Sequence, residues 1–282
     1  MSATPYEKFA AEIREKLFYE TPRERARKAS PFPTAAFMAR MARVYTLGWF
    51  ESRRPDFEFN YWPNAGYRVL QAVEKTGGRV RLEGFENIAA LDGPAVVASN
   101  HVSALETYLF PPLLAPWRSV AYILKASLRH YPLLGKCVRS IRPIPVTRKN
   151  PVADLRAVLK HGTESLRDGR FVMVFPQGSR FREFDPASWH SLGTKLAVHA
   201  KVPVVPVAVA TDFLRIGQWQ RDLFATVHPS SVVRFRFGPA IPPTLPAAEI
   251  HAREVAFVAG TLAEWERGDG RRLLLAAPRS DA

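Results

Sequence analysis

Near the start of the chain apolar residues recur every three or four positions, at Tyr6, Phe9, Ile13 and Leu17, with Glu, Lys and Arg between them. That spacing stacks one apolar stripe on a helix and predicts an amphipathic helix. Thr21-Pro22 and the basic run Arg23–Lys28 follow, and Ser30-Pro31-Phe32-Pro33 breaks the chain. A second helix is expected from about Thr34, with Phe37, Met38, Met41, Val44, Tyr45, Leu47, Trp49 and Phe50 on a broad apolar face interrupted by Arg40 and Arg43. Such a helix fits the membrane interface and fits equally a helix packed on the protein's own core. Residues 55–66, with Pro55, Pro63, Asn64 and Gly66, are expected to form a linker. The chain thus divides into N-terminal amphipathic helices over residues 1–60 and a second unit over 61–282.

From Tyr67 the pattern alternates. Strands are expected at Val80–Leu82, Ala95–Ala98, 120–124, Pro143–Val146, Phe171–Phe175 and Val204–Ala210, and helices from Ser103, over 152–167 and over Leu192–Ala200. Alternation of this kind predicts an α/β fold, a mixed, mostly parallel sheet flanked by helices. Val232–Phe237 alternates Arg with apolar residues and is expected at a sheet edge. A last helix is expected from Ala247 to about Glu266, followed by a loose tail after Gly268-Asp269-Gly270.

The buried-strand pattern Ala95–Ala98 stops at Ser99-Asn100-His101, and a helix-like segment begins after Ser103. A histidine is thereby placed at the carboxyl end of a strand, where ligands bind in open α/β sheets. Glu106 has two readings. Ser103-Ala104-Leu105-Glu106 fits a capping box, which makes the glutamate structural. A carboxylate in the first helical turn also faces back toward the loop, where it can accept a hydrogen bond from the His101 ring and favour its protonated form.

Composition narrows the picture. With 282 residues, 47% of them apolar, the chain can bury a real core. A single cysteine, Cys137, rules out an intramolecular disulfide framework and suits a reducing compartment. No C-x-x-C or H-E-x-x-H spacing suggests zinc. The first seventeen residues lack the unbroken apolar core of a signal peptide, and no window of ~18 uncharged apolar residues is present to span a bilayer. The net charge of +14 points to an anionic partner. Between Glu106 and Asp154 there is no acidic residue, while Arg118, Lys125, Arg129, Lys136, Arg139, Arg142, Arg148 and Lys149 all lie there, an uncompensated basic block expected beside the site. Nothing beyond charge speaks for nucleic acid, because zinc-finger spacing, basic-region heptads and RNA-binding aromatic motifs are all missing.

A second polar loop, Pro176-Gln177-Gly178-Ser179-Arg180, follows the strand at 171–175. Glycine permits close backbone approach there, and the arginine offers a planar fork suited to phosphate. Ser179 lacks the G-x-S-x-G elbow of a nucleophilic serine. Four blocks together resemble the glycerolipid acyltransferase family typified by bacterial 1-acylglycerol-3-phosphate acyltransferase. Asn100-His101-Val102-Ser103-Ala104-Leu105-Glu106 resembles its N-H-x-S-x-x-D block, and Gly135-Lys136 through Ile144–Arg148 the block that ends in a substrate-binding arginine. Phe175–Arg180 resembles F-P-E-G-T-R, and Val202–Val207 the apolar V-P-x-x-P-V segment. The likeness covers roughly residues 80 to 210. Glu106 stands where the family usually has Asp, and Gln177 where it usually has Glu.

The resemblance implies transfer of a fatty acyl group from acyl-CoA or acyl carrier protein to a hydroxyl of a lysophospholipid, with no cofactor beyond the thioester co-substrate. It implies His101 as general base and Glu106 as its partner, and assigns Arg148, Gln177, Gly178, Ser179 and Arg180 to acceptor binding. It also favours the interfacial reading of residues 1–54, since a lysolipid lives in the bilayer. The expected partners are therefore lipid acceptor, acyl thioester and an anionic membrane surface, with no nucleic acid, and the expected location is the cytoplasmic face of a membrane, in peripheral or monotopic attachment.

Overall fold

Thr4 opens the first helix by accepting the Glu7 N–H on its side chain while the Glu7 carboxylate accepts the Thr4 N–H, a capping box. The computed structural model describes residues 3–24, 29–52, 57–130, 134–181, 183–215 and 225–269. Helix α1 (Pro5–Lys16) leads into strand β1 (Tyr19–Glu20), then α2 (Pro33–Glu51) and α3 (Phe57–Lys75). The unit that follows begins with β2 (Arg79–Glu83), α4 (Phe85–Ala89), β3 (Val96–Ser99), α5 (Leu105–Leu114) and β4 (Val120–Lys125). Next come α6 (Leu134–Ser140), β5 (Ile144–Val146), α7 (Pro151–Arg167), β6 (Phe171–Val174), α8 (Leu192–Ala200) and β7 (Val204–Ala210). A small hairpin of β8 (Leu214–Arg215) and β9 (Thr226–Val227) precedes β10 (Val232–Phe237) and the long α9 (Ala247–Asp269).

The eight-stranded sheet runs β1-β2-β10-β7-β3-β6-β4-β5. Pairing is parallel except at the β1–β2 and β10–β7 contacts, so the sheet is mixed and mostly parallel as expected. Both faces are covered, which is why the central strands read as continuous apolar runs. Along β3 the side chains nevertheless alternate: Val97 enters the core beneath α1–α5, while Val96 and Ala98 enter the core beneath α7–α9. No helix among the described residues is long and apolar enough to cross a membrane.

Three expectations need correction. Residues 57–66 are not a linker but the first half of α3, with Pro63 inside it. Tyr61, Ala65, Val69, Leu70 and Val73 bury one face of that helix, and Gly66 lets it approach α5 so closely that a Cβ there would lie 2.2 Å from the Tyr108 carbonyl oxygen. Tertiary packing overrides the breaker residues. Residues 55 and 56, the last four residues of the basic run, 25–28, and the tail beyond Asp269 lie outside the described residues.

Strand β10 is not at an edge; it sits between β2 and β7. Phe235 and Phe237 face the inner core, while Arg234 and Arg236 emerge under α9. There Arg236 pairs with Glu83 and Glu264, Arg234 pairs with Asp269, and both guanidiniums lie over the Trp265 ring. The alternation reflects a helix whose polar rim covers the strand, not exposure to water. Third, the basic block is divided between the two ends of the sheet, as described below.

The N-terminal helices share the inner core. Phe9, Ile13, Phe37, Met41 and Val44 are buried in the same cluster as Val97 and Phe235, and β1 extends the sheet through Tyr19 opposite Leu82. Trp49 and Phe50 of α2 remain exposed, as does part of Tyr45, whose hydroxyl bonds that of Tyr108 on α5.

Candidate active site

Strands β7, β3 and β6 are parallel neighbours, so their carboxyl ends lie side by side. The loops after them hold Thr211, Asn100–Ala104 and Phe175–Arg180. Backbone pairing of β3 with β7 reaches Ser99 opposite Val207. One step further, the buried Asn100 side chain takes over: its Oδ1 accepts the Val209 N–H at 2.8 Å and its Nδ2 donates to the Val209 carbonyl at 2.9 Å. An amide side chain thus stands in for a strand backbone, and the main chain can turn away into the loop without leaving β7 unpaired.

That turn delivers Glu106, which is 0% exposed and accepts five hydrogen bonds. Its Oε1 receives the Val102 and Ser103 N–H groups at 2.6 and 2.7 Å and stands 2.8 Å from His101 Nδ1. Its Oε2 receives the hydroxyls of Ser103 at 2.9 Å and Thr211 at 2.8 Å. Ser103 Oγ also accepts the Leu105 N–H at 3.0 Å at the helix start. The expected capping box forms only by half: Glu106 reaches back to the Ser103 N–H, but the helix N-cap is Ala104 without a side-chain cap and Ser103 Oγ serves Leu105 instead of the Glu106 N–H, while the same carboxylate grips the imidazole. Burial acts to raise its pKa, but the bond and charge of His101, the Thr211 hydroxyl and backbone N–H groups outweigh it and hold the carboxyl below its ordinary value. An ionised Glu106 accepts only, so the proton of His101 is kept on Nδ1 and Nε2 carries the lone pair.

The His101 ring is 16% exposed and stacks on Phe175, with centroids 4.0 Å apart and planes inclined by 16°. Its backbone is clamped by the neighbouring loop: His101 N–H donates to Gln177 Oε1 at 3.1 Å, and the His101 carbonyl accepts the Phe181 N–H at 2.8 Å. Nε2 has no hydrogen-bond partner among the described residues. The imidazole lines a cavity of about 280 Å³ whose apolar wall comes from Ile123, Leu124, Val146, Leu155, Val158 and Val174. Thr107, Arg148, Asp154 and Gly178 supply its polar part. A histidine so held can take a proton from a hydroxyl presented in that cavity.

The residues expected to bind acceptor separate into two groups. Arg148 and Gly178 line the cavity with His101. Arg148 is exposed, at φ 59°, on a loop pinned by Asp154, whose carboxylate accepts the Thr147 N–H and hydroxyl and the Arg148 N–H. These bonds, the Thr147 N–H first, hold the Asp154 carboxyl below its ordinary value. Gly178 has φ 67°, a conformation that favours glycine. Ser179 and Arg180 are half-buried beyond the cavity lining, on the same loop. Gln177 is buried, and its amide is spent on the protein: besides holding His101 N–H, Nε2 donates to Ser188 Oγ at 3.2 Å.

Of the basic block, Arg148 reaches this cavity. Arg118 and Arg142 precede β4 and β5 and lie at the opposite ends of those strands, where Arg118 donates to the Asp92 carbonyl at 3.1 Å. Sequence reading missed Thr211, Phe175 as a ring beneath the histidine, and the bridging role of Asn100. Thr211 is 105 positions from Glu106, and only the adjacency of β7 to β3 joins them.

The acyltransferase family model matches residues 79–210. A 1-acyl-sn-glycerol-3-phosphate acyltransferase of Pseudomonas aeruginosa is 30% identical over 194 residues, covering 67% of this chain and 70% of that protein. A lyso-ornithine lipid O-acyltransferase of the same organism is 27% identical over 117 residues, 42% of this chain and 43% of that protein. Among solved structures, the 1-acyl-sn-glycerophosphate acyltransferase PlsC from Thermotoga maritima superposes with a TM-score of 0.59 at 23% identity, over 83% of this chain and 95% of that one, which shows a common fold. A buried carboxylate bound to a histidine at the end of the central strand, and a relative matched over two thirds of both chains, lead to one conclusion: the chain belongs to the acyltransferase family and is an acyltransferase of the 1-acylglycerol-3-phosphate O-acyltransferase type.

Proposed function

We propose that this enzyme moves a fatty acyl group from the thioester of acyl-CoA or acyl carrier protein to a free hydroxyl of a lysophospholipid, with 1-acylglycerol-3-phosphate as acceptor and phosphatidic acid as product. The observation that carries the reading is His101 Nδ1 bound to the fully buried Glu106 at 2.8 Å, with Nε2 left for the cavity that Arg148 shares. His101 Nε2 takes the hydroxyl proton as the acceptor oxygen attacks the thioester carbonyl. The tetrahedral intermediate collapses, the C–S bond breaks, and the imidazolium returns the proton to the departing thiolate. Glu106 stabilises the imidazolium between these steps. The acceptor's own oxygen is the nucleophile, so no acyl-enzyme is needed. Arg148 and Arg180 anchor the acceptor's phosphate, and Gln177, Gly178 and Ser179 shape the loop between them.

One observation favours a second acceptor. Gln177 is neutral where the family usually carries a glutamate, and a relative is named for a lyso-ornithine lipid; an acceptor with another headgroup is the alternative. Release of free thiol from a long-chain acyl-CoA, measured with lysophosphatidate and a panel of other lysolipids, decides between them. Turnover with lysophosphatidate that vanishes in His101→Ala supports the main reading. Turnover with another lysolipid alone transfers the assignment to that acceptor. Silence with both CoA and carrier-protein thioesters would leave a lipid-binding protein on this fold.

The N-terminal helices within residues 1–60 are the membrane-facing part of this reading. The exposed Trp49 and Phe50 on α2, with the exposed part of Tyr45, suit the interface of the cytoplasmic leaflet, and the excess positive charge suits its anionic lipids, giving peripheral or monotopic attachment.

A further inference from the structure

Helix α9 buries a carboxylate that the acyl-transfer steps do not use. Glu254 is fully buried, and its helix neighbours Ile250 and Val258 lie in the core beneath α7–α9 together with Trp189 and Leu196. Its two oxygens are directed at side chains of two other segments. Oε2 accepts the Trp189 Nε1–H at 3.0 Å, and Oε1 accepts the Thr194 hydroxyl of α8 at 2.7 Å. No cation pairs with it among the described residues. An apolar residue would fill the same space without the cost of burying a carboxylate, so the role of Glu254 lies in the two side chains it fixes.

Trp189 leads from there to the loop beneath His101. Its buried ring packs edge-on against Phe184, with centroids 5.6 Å apart and planes inclined by 73°. Ser188, the residue before it, accepts the Gln177 Nε2–H at 3.2 Å, and His190, the residue after it, donates its N–H to the Pro176 carbonyl at 3.2 Å. Ser188 is held in turn by the Asp185 carbonyl, which accepts its N–H at 3.0 Å and its hydroxyl at 2.6 Å. Residues 185–190 thus brace the Pro176–Gly178 turn. The other end of the Gln177 amide, Oε1, accepts the His101 N–H at 3.1 Å. Contacts are therefore continuous from the Glu254 carboxylate through the indole, the brace and the Gln177 amide to the histidine backbone.

We propose that Glu254 is a positioning residue: through Trp189 it fixes the brace at 185–190, and the brace sets the Gln177 loop against the His101 backbone. Its effect on the acceptor rests on the reading of that loop as acceptor-binding. Glu106 and not Glu254 sets the imidazole tautomer, so a displaced brace alters where the acceptor sits and leaves the base intact.

Three variants of the full chain test this. Glu254→Leu keeps the volume and removes both acceptors, and Trp189→Phe removes the indole donor and keeps a ring. Glu254→Gln keeps a carbonyl oxygen for the indole N–H, while its NH2 faces the Thr194 hydroxyl, which can accept. Thiol release is measured with the lysolipid that the wild type turns over fastest. Glu254→Leu should raise KM for that lysolipid by about tenfold and leave KM for the thioester within about twofold; Glu254→Gln should restore the first to within about twofold of wild type. Gln177→Ala should raise the same KM, and the double variant Gln177→Ala with Glu254→Leu should be no worse than the more severe single one, because one path carries both effects. Hydrogen exchange should quicken in peptides carrying Gly178 and His190 and stay unchanged in β4. If Gln177→Ala moves the thioester KM instead, the acceptor reading of the loop fails, and Glu254→Leu moving that same KM still supports the positioning role. Where Glu254→Leu melts below the assay temperature, Trp189→Phe carries the comparison. Four results overturn the proposal: a KM that Gln177→Ala moves and Glu254→Leu does not, single-variant effects that multiply in the double variant, Glu254→Gln as impaired as Glu254→Leu, or Gln177→Ala with wild-type kinetics.

Discussion

Replacing Glu106 with glutamine removes one charge and almost no volume, and the surroundings determine what that change does. The Oε1 position must keep an oxygen, because the Val102 and Ser103 N–H groups donate to it at 2.6 and 2.7 Å. The new NH2 therefore faces Ser103 Oγ and Thr211 Oγ1, hydroxyls that can rotate to accept. His101 keeps an acceptor at Nδ1, so its tautomer survives. The fall in rate should then stay below the ~10⁴-fold seen when an amide NH2 is turned to the histidine of a serine-hydrolase triad.

What is lost is the counter-charge of the imidazolium. At 2.8 Å, with an effective dielectric of about 20, the Coulomb attraction has an upper limit of about 6 kcal/mol. The difference between charged and neutral hydrogen bonds sets a lower limit of about 1–2 kcal/mol. We expect kcat to fall by about 2–4 kcal/mol, roughly 30- to 1,000-fold, with KM for the acceptor little changed. Thermal unfolding should report a loss of only about 1–2 kcal/mol. Glu106→Ala, by contrast, leaves two buried N–H groups without acceptors and should cost about 3–5 kcal/mol. Thiol-release kinetics and melting curves on the two variants decide the matter. A glutamine variant with wild-type kcat refutes the electrostatic role, and one as unstable as the alanine variant refutes the hydroxyl rearrangement.

Because Glu106 has a lowered native pKa, its stabilisation is present above its ordinary value of 4.5 and is lost as pH falls through the lower native value; melting points of Glu106→Gln should be flatter than wild type on that acid side. Glu254 behaves oppositely. It is buried, its carboxylate is held among the described residues by the Trp189 Nε1–H at 3.0 Å and the Thr194 hydroxyl at 2.7 Å, and burial raises its pKa. Stability should be fully present below 4.5, decline as pH climbs from there to the raised native value, and level off beyond; Glu254→Gln should abolish that decline, and an unchanged slope would count against the assignment. Gln177→Glu keeps an acceptor for His101 N–H but cannot donate to Ser188, whose hydroxyl already serves the Asp185 carbonyl at 2.6 Å; melting should show a loss of about 1 kcal/mol, with any larger kinetic effect depending on the acceptor lipid. Trp49 and Phe50 are 37% and 55% exposed, so Trp49→Glu with Phe50→Glu should weaken sedimentation with anionic vesicles at unchanged melting temperature, whereas unaltered sedimentation would remove α2 from the membrane contact.

The pairing of His101 with Glu106 was legible because local order carries it: an apolar run, a polar stop and a helix start within a dozen residues. The apolar strands β3, β6 and β7 were legible for the same reason. The α3 helix was not, since Pro63, Asn64 and Gly66 are loop-formers by propensity. Gly66 is there because the Tyr108 carbonyl leaves no space for a side chain, a fact of α5 rather than of the neighbouring sequence. The arginines of β10 misled in the same way, as their partners Glu264 and Asp269 lie on a helix far along the chain. Gln177 could be placed in a loop from its motif, but that its amide would be consumed by His101 and Ser188 depends on how two loops meet.

The amide bridge from Asn100 to Val209 joins positions 109 apart in the chain. The loop carrying His101 therefore has no template until β7 has docked beside β3, and closing so long a segment is entropically slow. During synthesis the ribosome must release most of the protein before this corner can form. Exchange of the Val209 amide proton with solvent then becomes a clock for the last stage of maturation, distinguishing chains that have merely collapsed from those with an assembled centre.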